Sequence, residues 1–385
     1  MAEAWWVDES QLDNDQKAVV TLPLTGSHTV VGPPGSGKTN LLLLRAKYLY
    51  LAGKADILVI VFTRALQEFI ARGSREYVFP ISKVMTCRKW QQELLRQYGE
   101  GHEASGDFEE QRLAFVEAIK NLIKTRALGK VYDAILLDEA HDYLPEEIEL
   151  FGKLAKNVFA VVDSRQKIYA GRDPTEMLKS MTDEQHYLRY HYRNGLTICR
   201  LADALGKDVP GRDTLTSTSN YNERERPSTV KHFRCSGIEE AAQRIIGALE
   251  TQLKAYPSEL LGVICPRNEE VVQIWNYIQA CALGGLALLQ CGTEHSTFDP
   301  SKPICVSTLH AAKGLEMRAV HFAGAELLRK FPNNRNMAFT AVTRAKTSLS
   351  IYYSDDLLGY FEAALNGLEP PREAPLLRDL FPRDR

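Results

Sequence analysis

The chain lacks any apolar run long enough to span a bilayer and shows no apolar signal region near its start, so the expectation is a soluble, cytoplasmic protein. Cysteine is sparse and scattered. Seven are present, an odd number with no CxxC spacing, which argues against a zinc site or a disulfide framework and fits a reducing compartment. Charge of one sign is lacking too. The 47 Lys and Arg against 49 Asp and Glu leave a net charge of −2, so any nucleic-acid surface must be a local basic stripe. No internal repeat and no low-complexity tract appears. What remains is 385 residues of ordinary globular composition, enough for two domains.

The strongest positive signal is GPPGSGKT, Gly32 to Thr39, after the short apolar segment Thr29 to Val31. A strand feeding a glycine-rich loop that opens a helix is the pattern of a phosphate cradle. Gly32, Pro33, Pro34, Gly35, Ser36 and Gly37 would form the loop. Lys38 would supply a point charge for the β and γ oxygens, and Thr39 would ligate Mg²⁺. ILLDEAHD, Ile135 to Asp142, ends an apolar run in acid; Asp138 can reach the metal's water shell and Glu139 can polarise a water. In FAVVDSRQKIY, Gln166 is a candidate γ-phosphate sensor and Tyr169 a candidate base-facing ring, though a polar turn before a core tyrosine explains the same residues. Arg193 in LRYHYRN and Arg344 in AFTAVTRAK are candidates to stabilise charge on the γ-phosphate. In STLHAAKGLE, Thr308 and His310 could hold a nucleic-acid phosphate while Lys313 and Glu316 face the cleft; a helix cap at Ser307 or Thr308 is compatible with both.

The ordered set resembles the UvrD/Rep-like helicases of superfamily 1, over about residues 12 to 353. LDNDQKAVV looks like the adenine-recognising Q motif, with Gln16 the expected contact. VFTRAL is similar to motif Ia and VMTCRKW, with Thr86, faintly to motif Ib; the remaining segments are similar to motifs II to VI in order. The resemblance implies an ATP- and Mg²⁺-dependent motor on single-stranded DNA, moving 3′ to 5′. It implies that Phe62 and Tyr169 stack on bases, that Thr63 and Thr308 hold the strand backbone, and that Gly314 and Glu316 border the nucleotide. Arg64 stands where the family usually has Asn, which would add a phosphate contact. Gly171 stands where the family often has Trp, so one stacking platform is missing, a loss of about 1–3 kcal/mol per base.

Apolar runs alternating with helical patterns predict α/β architecture: two RecA-like lobes of parallel sheet flanked by helices, with an ATP cleft between them. The expected boundaries are 1–182 for the first lobe, with a small helical insertion near 90–130, 183–366 for the second, and a C-terminal tail at 367–385. Only about 27 residues separate Gln279 from Val306, where the family's second insertion belongs. Three readings follow: a DNA helicase or translocase; a nucleic-acid-gated ATPase serving as a sensor or regulatory subunit beside a partner such as a nuclease; and an RNA-directed motor. No nuclease constellation is visible, and the acidic pairs Glu109–Glu110 and Glu146–Glu147 read as solvated helix faces.

Overall fold

A computed structural model describes residues 9–368 apart from 74–78, 103, 170, 207–212, 293–298 and 300. The expected tail therefore lies outside the described residues beyond 368. Among the described residues twelve strands form two sheets: β1 (His28–Val31), β2 (Ile57–Val61), β3 (Val84–Thr86), β4 (Tyr132–Leu137), β5 (Ala155–Val162) and β6 (Glu184–Tyr187) in one, and β7 (Thr229–Arg234), β8 (Leu261–Cys265), β9 (Ala287–Gln290), β10 (Ile304–Thr308), β11 (Met317–Ala323) and β12 (Ala345–Tyr353) in the other. The orders are β3-β2-β4-β5-β1-β6 and β7-β12-β11-β8-β10-β9, with every pairing parallel. These are two RecA-like sheets. Helices cover both faces, so the inner strands are apolar on both sides; all five residues of β2 and of β8 are buried.

Three strands escape a reading of apolar runs: β3 with three residues, and β6 and β9 with four. β6 carries the first sheet on to Tyr187, past residue 182, because Glu184 to Tyr187 pair in register with His28 to Val31. β9 occupies the interval expected to lack the second insertion and adds an edge strand beside β10. The segment 90–130 is helical, in Cys87–Gln97 and Phe108–Thr125. One acidic pair departs from its expected exposure. Glu147 is buried, because its carboxylate takes the Arg112 guanidinium from the facing helix and also accepts the Leu144 amide at 2.9 Å. A buried charge survives only when paired in this way.

The lobes are packed on one another. Ala65 and Ile168 from the first lobe join the apolar core of the second with Leu309, Leu315 and Phe339. Asn336 Nδ2 donates to Lys167 O at 2.9 Å, and Thr63 Oγ1 donates to Lys313 O at 3.2 Å.

Candidate functional site

The site is built at the carboxyl ends of β1, β4 and β5, where an open parallel sheet presents its loops. After β1 the chain turns through Gly35 (φ 76°) and Gly37 (φ 79°) into the helix Lys38–Leu51. Both angles favour glycine. A Cβ on Gly35 would also meet Arg193 Cβ at 2.5 Å. The loop is internally tied: Ser36 Oγ donates to Pro33 O at 2.9 Å, and Lys38 Nζ donates to Gly32 O at 2.9 Å and Pro33 O at 2.8 Å. Burial lowers Lys38 to about 8, against the pull of Asp163 and Glu139. Gln16, on a helix whose capping box with Asp13 fixes its start, donates from Nε2 to Ser36 O at 3.1 Å. The glutamine singled out from the Q-like segment thus touches the phosphate loop.

Asp138 closes β4 and accepts from the Thr39 hydroxyl at 3.1–3.2 Å. Burial, followed by the neighbouring Glu139 charge, lifts Asp138 to about 7. Glu139 sits at φ 48°, an uncommon conformation for a side-chain-bearing residue. Next along, His141 Nδ1 accepts the Asp163 amide at 3.1 Å, and its Nε2 lies 3.2 Å from Glu139 Oε2.

From the second lobe, Arg344 is almost wholly buried and donates to Gln166 Oε1, while Gln166 Nε2 donates to Asp163 Oδ2 at 3.0 Å. Burial, then the nearby Arg193 charge, lowers Arg344 to about 10, so it stays cationic at neutral pH. Arg193 pairs with Glu316, which also lies 3.5 Å from Lys346 Nζ. Burial works against the Glu316 carboxylate, but Arg193 and Lys346 hold it down to about 2. A cavity of about 350 Å³ lies between these groups, lined among others by Gln16, Lys38, Glu139, Arg193, Glu316 and Arg344. Pro34, Gly35, Gly37, Thr39, Gln166 and Gly314 also border it. Pro33 and Ser36 shape the loop from behind.

Lys313 goes elsewhere. Its ammonium is buried on the first lobe, donating to Asp142 and to Gln166 O at 2.5 Å, with His141 Nε2 at 3.0 Å. It ties the lobes instead of facing the interlobe cavity, with first-lobe acceptors pairing the buried ammonium.

The strand-contact candidates form a second group. Phe62 and Tyr169 have ring centroids 4.3 Å apart, and Tyr169 donates its hydroxyl to His310 O at 3.3 Å. The His310 and Tyr169 rings lie 5.0 Å apart, and burial lowers His310 to about 4. The threonines among the strand-contact candidates act as turn and helix caps: Thr63 Oγ1 accepts from Leu66 N at 3.2 Å, Thr86 Oγ1 from Lys89 N at 3.3 Å, and Thr308 Oγ1 from Ala311 N at 3.2 Å. Arg64 is exposed and pairs with Glu68 at 2.9 Å. Residues that sequence reading passed over include Asp163, which orients Gln166, Tyr192, whose hydroxyl donates to Asp13 Oδ2 at 2.5 Å at the edge of the cavity, and Phe108 beside Tyr169. Asp163 had a legible signal, as the acid ending the apolar run of β5.

The fold and cleft define a two-lobed protein of the phosphate-loop class. Residues 303–352 match the family described as the UvrD-like helicase C-terminal domain. That match covers 50 of the 385 residues, within the second lobe, and extends from β10 to β12. No curated protein matches the chain. Among solved structures, it is similar to the C-terminal domain of a possible DNA helicase from Lactobacillus plantarum WCFS1, at 16% identity and TM-score 0.33 over 46% of this chain and 96% of that one. It is also similar to the PRRSV helicase, at 15% identity and TM-score 0.40 over 88% of this chain and 54% of that one, so it spans about half that protein's length. Both overlays are loose, and what the comparisons add is the likeness of residues 303–352 to that C-terminal domain family.

Proposed function

We propose that the protein is an ATP-dependent DNA helicase or translocase that couples hydrolysis in the interlobe cavity to movement along single-stranded DNA, 3′ to 5′ as in the family it resembles. The observation that carries this reading is the meeting of Lys38, Glu139, Arg193 and Arg344 around one cavity, two from each lobe. The residues fit a nucleoside triphosphate with Mg²⁺. Arg193 keeps buried Nε and Nη1 donors with no partner, as an anion-binding guanidinium would. Thr39 and Asp138 offer converging hard oxygen ligands.

In this mechanism Lys38 binds the β and γ oxygens while Gln16 lies toward the base. Mg²⁺, when bound, neutralises phosphate charge beside Thr39 and Asp138. Glu139 orients the attacking water and takes its proton as the bond to the γ-phosphorus forms and the bond from that phosphorus to the β–γ bridging oxygen breaks, the charge passing to the departing diphosphate beside Lys38. Arg344 and Arg193 stabilise the charge that spreads over the equatorial oxygens, and Gln166 carries the state of that phosphate toward Tyr169 three residues on. Lobe closure and reopening would then advance the strand.

A second reading, a strand-gated ATPase acting as a sensor or regulatory subunit with a partner, is favoured by the interval before Val306, where β9 stands in place of a large insertion. Steady-state ATP hydrolysis, alone and with single-stranded DNA, single-stranded RNA or blunt duplex, separates the possibilities. Strong stimulation by single-stranded DNA with duplex unwinding supports the motor. Stimulation without unwinding supports the sensor, stimulation by RNA alone favours an RNA-directed motor, and absence of hydrolysis sinks all three.

A further inference from the structure

We propose that Phe108 is a base-stacking residue that continues the row begun by Phe62 and Tyr169 and takes an unpaired nucleobase at the mouth of the strand path. The inference rests on the strand-tracking reading above. Phe108 is 53% exposed, an unusual state for a phenylalanine, and its ring centroid lies 5.9 Å from that of Tyr169. Phe62 and Tyr169 are themselves half-buried, so Phe108 has the most open face of the three.

The ring is held in place by local structure. Phe108 is the first residue of the helix Phe108–Thr125, whose Asp107 cap accepts the Glu110 amide at 2.9 Å while Glu110 accepts the Asp107 amide at 2.9 Å. One turn on, the Arg112 guanidinium carbon lies 5.5 Å from the Phe62 ring and 5.5 Å from the Phe108 ring. Arg112 is fixed there by Glu147 and by Asp142 O at 2.9 Å. Arg112 is itself buried and paired with Glu147, so it braces the two rings from behind and leaves the aromatic faces as the stacking surface.

Geometry also accounts for Gly171. Its φ is 122°, and a Cβ there would meet Leu144 Cδ2 at 2.7 Å and Glu109 Oε1 at 3.7 Å. Lys167 Nζ pins the same turn by donating to Gly171 O at 3.0 Å and Arg172 O at 2.8 Å. A side chain at 171 would run into Leu144 and come into van der Waals contact with Glu109, the neighbour of Phe108. The stacking surface missing from residue 171 is therefore supplied from the helical insertion next to it.

The test is fluorescence anisotropy of the full chain with a labelled oligo(dT) and with an abasic tract of equal length and charge, for wild type, Phe108→Ala and Phe108→Trp. The expected result is that Phe108→Ala binds oligo(dT) on the order of 10-fold more weakly, Phe108→Trp binds as wild type, and all three bind the abasic tract alike. Thermal unfolding midpoints should match, since the ring is exposed. Equal affinity of Phe108→Ala and wild type for oligo(dT) overturns the inference while leaving the strand-tracking reading intact. An equal loss on the abasic tract overturns stacking as the cause. Failure of wild type to bind any oligonucleotide overturns both.

Discussion

At the scale of single residues, the cavity depends on side chains that solve two problems at once. Glu316 is the clearest. Its carboxylate holds Arg193 in position and is itself held down to about 2 by that arginine and Lys346. A depressed carboxyl pKa contributes stability that is complete above the unfolded value, about 4.3, and is lost as pH falls through the folded value. Wild type should therefore lose stability between about pH 4.5 and 2, by on the order of 3 kcal/mol from this group. Glu316→Gln should be less stable at neutral pH with a flatter profile over that window, as read by urea unfolding at stepped pH. Parallel curves would remove Glu316 from the account. Gly35 makes a second case: Ala there must adopt φ near 76° with its Cβ against Arg193, so Gly35→Ala should weaken ATP binding and lower stability by about 1–3 kcal/mol. Calorimetric titration of nucleotide, with thermal unfolding alongside, checks both effects.

At the scale of elements, the legible parts were those with a strong local pattern. The helix Lys38–Leu51 begins directly after the glycine-rich loop, as the pattern of a loop opening a helix requires. The phosphate loop and the acid after β4 also followed from local chemistry. Three of the short strands did not. β3, β6 and β9 have three or four residues, and β6 reads EQHY, which has no apolar period; only its register with β1 makes it a strand. Partner-dependent residues were equally hidden. Glu147 looks solvated in sequence because Arg112, which buries it, is 35 residues away. Lys313 meets Asp142 across 171 positions. Phe108 was masked by the acidic residues beside it, which made the helix start read as plain surface. The helix Phe108–Thr125 itself gives a prediction. Asp107→Ala removes one arm of the capping box and should cost about 1 kcal/mol, seen as a lower urea midpoint with an unchanged slope. No shift in midpoint would mean that the cap does not hold this helix.

At the scale of the whole molecule, the two lobes are joined by a buried ion pair as well as by the cavity. Lys313 from the second lobe and Asp142 from the first are both fully buried, so removing Lys313 leaves the Asp142 carboxylate without its ion-pair partner. Lys313→Ala should cost about 3–5 kcal/mol, and the double variant with Asp142→Ala should recover part of that loss. A double-mutant cycle measured by urea unfolding tests it, and strictly additive effects would show that the tie does not couple the lobes.

The central claim is that the hydrolytic site is completed across the cleft by an arginine from the second lobe, and Arg344→Ala tests it most directly. Nucleotide affinity by calorimetry and kcat by steady-state ATP hydrolysis should be measured on the same preparation. The account predicts near-normal ATP binding with kcat lower by on the order of 10³. An unchanged kcat with intact folding would contradict it, and would confine the chemistry to the first lobe.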